Sequence, residues 1–125
     1  MNKSVSKFKS IPLLTLDYKK NRIRIHKQTI HMISDPDYIQ LFINPNAKKI
    51  IIVGSSEFDH LAHNVVRAMN SPKSMELTSR SLLNQIKKIN PVLRDGTSFN
   101  LYGTLENSNT IAVFDICDKE KLVEV

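Results

Sequence analysis

Cysteine is nearly absent from this 125-residue chain: Cys117 is the only one, so no internal disulfide can form. A lone thiol fits a reducing compartment, and the expected location is the cytoplasm. Glycine is equally scarce. With only Gly54, Gly96 and Gly103, neither a phosphate-cradling loop nor a dinucleotide fingerprint can be assembled. Long apolar runs are missing too, since Ile11 to Leu16 and Ile50 to Val53 fall far short of the roughly 20 residues that span a bilayer. Lys3, Lys7 and Lys9 resemble a basic leader, but the apolar run behind them is short and interrupted by Pro12 and Thr15, so no export is expected.

Catalytic signatures are also lacking. Ser55-Ser56 reads as helix capping, Asp35 and Asp37 straddle a proline in a turn, and Cys117 lies between Asp115 and Asp118 without the cations that activate a thiol. His60 and His63 form an i, i+3 pair, yet Arg67 follows one turn on and no ligand set is complete. The expectation is a non-enzymatic binding protein with no metal and no cofactor.

What the chain does have is charge, and the charge is placed unevenly. Residues 1–34 carry Lys3, Lys7, Lys9, Lys19, Lys20, Arg22, Arg24 and Lys27 against Asp17 alone, a balance of +7, whereas the rest balances at −1. Such asymmetry is the footprint of a surface that meets a polyanion.

Periodicity supplies the second signal. Arg22 to Ile25 alternates as a half-buried strand, Lys27 to Ile33 has helical spacing, and Asp35-Pro36-Asp37 breaks the chain. Tyr38 to Asn44 and Lys49 to Val53 then read as a hairpin across Pro45-Asn46-Ala47. The order recurs 52 residues later: Met75-Glu76-Leu77 stands where Ile23-Arg24-Ile25 stood. Leu82, Leu83, Ile86 and Ile89 form a helix stripe, and Phe99 to Leu105 with Thr110 to Ile116 make a second hairpin. Between the halves, Glu57 to Asn70 reads as an amphipathic helix carrying Phe58, Leu61, Ala62, Val65, Val66 and Met69 on one face.

The expected organisation is one domain over 1–125. It has a basic arm at 1–17, a first repeat at 18–53, a connecting helix at 55–70, a second repeat at 74–116 and a tail at 117–125. The expected fold is a β-rich α+β domain: a small barrel of two strand-helix-hairpin repeats joined by an amphipathic helix.

The stretch Arg22-Ile23-Arg24-Ile25-His26-Lys27-Gln28-Thr29-Ile30, with Asp37 to Leu41 and Lys49 to Ile52, resembles the swapped-hairpin unit of AbrB and MazE-type transcription factors. Two copies in one chain resemble a fused pseudo-dimer of that family. The whole chain also resembles small proteins encoded on mobile elements and prophages of Gram-positive bacteria. The resemblance implies transcriptional regulation and a DNA-contacting surface on the first strand and adjoining loop, which points to Lys19, Lys20, Arg22, Arg24 and Lys27.

Glu76, Ser74 and Ser79 occupy the equivalent positions of the second copy, so the basic face is not duplicated. Reading a palindromic site would require a homodimer. The rival expectation is a mobile-element accessory or inhibitor protein that turns the same strand toward a host protein or nucleoprotein complex.

Overall fold

A computed structural model describes residues 11–56, 63–64, 74–106 and 108–125. In chain order its elements are β1 (Leu13–Asp17), β2 (Arg22–His26), α1 (Lys27–Met32), β3 (Tyr38–Asn44), β4 (Lys49–Ser55) and β5 (His63–Asn64). There follow β6 (Ser74–Thr78), α2 (Arg80–Ile89), β7 (Ser98–Tyr102), β8 (Thr104–Glu106), β9 (Ile111–Asp115) and β10 (Leu122–Glu124).

The strands form two antiparallel sheets, sheet 1 in the order β10-β7-β1-β2-β6 and sheet 2 in the order β5-β3-β4-β9-β8. Alternation decides which face of each is buried. In sheet 1, Leu14, Leu16, Ile23, Ile25, Phe99 and Leu101 point into the core, and Ile39, Ile50, Ile52, Ala112 and Phe114 meet them from sheet 2. Helix α1 adds Ile30, and α2 adds Leu83 and Ile86.

Local chemistry explains the helices. Ser79 caps α2 by accepting a hydrogen bond from Leu82 N at 3.2 Å, and Lys87 and Lys88 in its last turn suit the negative end of the helix dipole. Helix α1 has no side-chain cap. It is held instead through Thr29, whose hydroxyl accepts from Leu13 N at 2.7 Å and donates to Leu13 O at 2.9 Å.

The expected barrel is not what forms. The edge strands of sheet 1 are not hydrogen-bonded to those of sheet 2, so the architecture is mostly β, two open antiparallel sheets over one core, with two helices among the described residues. Alternation marks a buried face but is silent on whether a sheet closes on itself, which is why the pattern misled.

The two halves also differ in strand order. The first runs from β2 in sheet 1 through α1 to the β3–β4 hairpin in sheet 2. The second runs from β6 through α2 to β7, which stays in sheet 1, and only then to β8 and β9 in sheet 2. The expected strand Phe99 to Leu105 is thus split at Gly103. A Cβ there would lie 2.6 Å from both Phe114 Cδ2 and Val113 O, so only glycine lets the chain pass this close while changing sheets.

Residues 13–17 of the arm form β1, with β2 and β7 as its neighbours, and residues 122–124 of the tail form β10. Within the expected connecting helix, Ser55 ends β4, and His63–Asn64 pair with Tyr38 and Ile39 as β5, so no single helix runs through 55–70. Residues 57–62 and 65–70 of that segment lie outside the described residues.

Candidate nucleic-acid interface

All five cationic residues singled out from the sequence lie on or beside β2, and the structure separates them into two groups. Lys19 and Lys20 occupy the turn between β1 and β2, and Lys27 opens α1 just past the other end of β2. All three are exposed, with no ion pair among the described residues. Asp17 builds the turn: its Oδ1 accepts from Lys19 N at 2.9 Å and Lys20 N at 3.1 Å, and Asn21 takes the left-handed conformation, φ 54°, that closes it.

Arg22 and Arg24 share the outer face of sheet 1, as alternation requires, but neither is free. Arg22 Nε donates to Asp17 Oδ2 at 3.0 Å and its Nη1 lies 2.9 Å from Glu76 Oε2; Arg24 reaches the same oxygen from Nη2 at 3.1 Å and Nε at 3.2 Å. One carboxylate oxygen therefore receives two guanidinium groups. Their side chains are 23% and 32% exposed, and those of Asp17 and Glu76 are 10% and 20% exposed, so the network is partly shielded from bulk water, most of all at Asp17. It also ties three strands together, because Asp17 is opposite Arg22 on β1 and Glu76 is opposite Arg24 on β6.

A neutral chain of hydrogen bonds continues the face. Thr15 Oγ1 donates to Asn100 Oδ1 at 2.7 Å and lies 2.8 Å from His26 Nε2. Since the threonine proton is committed to Asn100, the imidazole donates through Nε2 and is no base toward Thr15. Burial, and then the nearby Arg24 charge, hold the His26 pKa below its ordinary value, so His26 adds no charge to the face at neutral pH. For Asp17, burial pushes the carboxyl up, but hydrogen bonds from Lys20 N, Ser98 Oγ, Lys19 N and Arg22 together outweigh it, and the pKa ends lowered.

The sequence pattern puts Arg22 and Arg24 on one face of a strand flanked by the lysines, and it does not show the counterions of the two arginines. In the sequence Glu76 stands as the acidic counterpart of Arg24, 52 residues away. That equivalence was itself the signal, because β2 and β6 pair antiparallel with Arg24 directly opposite Glu76. His60 lies outside the described residues, and no cluster of three His, Cys, Asp or Glu fit to hold a metal occurs among the described ones. None of the described helices is long and apolar enough to cross a membrane. No protein-family model, curated protein or solved structure matches the chain.

Proposed function

We propose that this is a non-enzymatic, cytoplasmic DNA-binding protein of the transcription-regulator kind that meets the phosphates of a duplex with the cations at the two ends of β2. Lys19, Lys20 and Lys27 make the phosphate contacts, and Arg22 and Arg24 stand behind them on the strand. The observation that carries this reading is the set of three exposed lysines, without counterions among the described residues, displayed at both ends of a strand that is held in a sheet between two neighbours. Lysine suits such contacts because it acts as a point charge on a flexible stem and needs no fixed geometry.

The decisive measurement is duplex binding across a salt series. Changing Lys19, Lys20 and Lys27 together to alanine should weaken binding and reduce the slope of log affinity against log salt by about 2.7, near 0.9 per lost phosphate contact. Folding should survive, because the three lysines are exposed and have no ion pair to lose among the described residues. Undiminished binding in the triple variant would remove this surface from consideration.

Glu76→Gln makes the opposite prediction. Without the carboxylate charge, Arg22 and Arg24 keep a hydrogen-bond acceptor and Arg22 keeps Asp17, but one positive charge of the pair is no longer neutralised, so binding should tighten and the salt slope should steepen by about 1. The second reading, a contact with an acidic host protein or nucleoprotein, is favoured by the basic strand's occurring once: Glu76 of β6 stands where a second copy would carry the counterpart of Arg24. Failure of the unmutated protein to bind duplex DNA even at low salt would select it.

A further inference from the structure

The outer face of sheet 2 differs in character from that of sheet 1. Strand alternation brings Phe42, Ile51, Val53, Ile111 and Val113 to the surface side by side. Phe42 is opposite Ile51 and Ile51 opposite Val113, while Val53 is opposite Ile111 in the adjacent row. Phe42 is 45% exposed and the others are partly exposed. Contiguous apolar side chains on an open sheet face, rimmed by charge, are the composition of an association surface.

We propose that this face is the interface of a homodimer, with a second copy of this chain as its occupant. The argument is self-complementarity. A two-fold axis running along the strands between β4 and β9 stacks β4 of one copy on β9 of the other, within the aligned geometry that packed sheets adopt. Ile51 then meets the partner's Val113, and Val53 meets the partner's Ile111. In the next row, Lys49, which is opposite Asp115 within its own sheet, comes over the partner's Asp115. The same operation repeats each contact, so apolar meets apolar and each lysine meets a carboxylate twice over.

Sedimentation of the full chain over a concentration series tests this. The expected result is a concentration-dependent dimer that Ile51→Lys converts to monomer with its far-UV circular dichroism retained, and with the melting temperature of the unmutated protein at concentrations where that protein too is monomeric. Lys49→Asp and Asp115→Lys should each raise the dimer dissociation constant about tenfold by placing like charges together, and the double exchange should restore it. The rescue separates an interface from a merely internal pair, because an internal pair alters melting and leaves the dissociation constant unmoved. A monomer at every concentration, a dimer indifferent to Ile51→Lys, or a double exchange that fails to restore association would each overturn the proposal.

Discussion

Phe114→Ala is expected to remove about 3–5 kcal/mol of stability, the range for truncating a fully buried phenylalanine that leaves a cavity. Phe114 has no exposed surface, sits between Val113 and Asp115 on β9, and faces the core with Ile50 opposite it on β4. Its ring also fills the space beside Gly103, where the chain crosses between the sheets, so the gap would open where the two sheets are joined covalently. Against a usual total of about 5–15 kcal/mol, that loss leaves a marginal protein. Urea titration should show a lower midpoint at unchanged slope. Phe42→Ala, on the opposite face of the same sheet and 45% exposed, should cost under about 1 kcal/mol, so the pair tests the assignment of inside and outside.

The second large effect belongs to Asp17. Its carboxylate accepts from Lys19 N, Lys20 N, Arg22 Nε and, at 3.0 Å, Ser98 Oγ, and so joins β1, the β1–β2 turn, β2 and β7. Asp17→Ala strands these donors at a site with little access to water and should cost about 2–3 kcal/mol.

Protonation is the milder form of the same loss. The folded pKa values of Asp17 and His26 both lie below their ordinary values of 3.8 and 6.5, so the folded state binds fewer protons than the unfolded chain. Their contribution is complete above the ordinary value and declines as pH falls through the folded one. Stability should therefore drop first below pH 6.5, through His26, and again in the acid range below 3.8, through Asp17. Unfolding titrations at stepped pH should find Asp17→Asn less stable at neutral pH and without the second drop.

How far the sequence could be read follows from the range of the interactions involved. The alternation of Arg22 to Ile25 and Tyr38 to Asn44 is a local property, and β2 and β3 lie where it places them. The same holds for α2, whose buried Leu83 and Ile86 belong to the expected stripe. What escaped depends on partners distant in the chain. Ile11 to Leu16 looked like the end of an arm because its neighbours, Ile23 to Ile25 and Phe99 to Leu101, supply the burial that makes Leu14 and Leu16 core residues. Local pattern carries no term for such context. The site followed the same division: the cations were visible as composition, whereas the pairing of Arg22 and Arg24 with Glu76 depends on a register between β2 and β6. If the outer faces of the two sheets act as proposed, a dimer through sheet 2 turns its two basic faces apart, which suits bridging two duplexes better than reading two half-sites of one.

The position of β1 between β2 and β7 also has a consequence during synthesis. Leu16 is paired with Phe99, so sheet 1 cannot be completed until the chain has been made nearly to its end. At about 5–20 residues per second, β1 and β2 leave the ribosome roughly 4 to 17 s ahead of β7. For that interval their hairpin is an uncovered strand edge with Leu14, Leu16, Ile23 and Ile25 along one side, a template for pairing with the wrong chain. Arg22 and Arg24 alternate with those isoleucines, and for the first part of that interval Glu76 has yet to be added. Arg22 has Asp17 beside it in the hairpin, but the Arg24 guanidinium, which Glu76 neutralises in the finished protein, keeps its full charge until β6 is made, and like-charge repulsion guards the nascent edge against its neighbours.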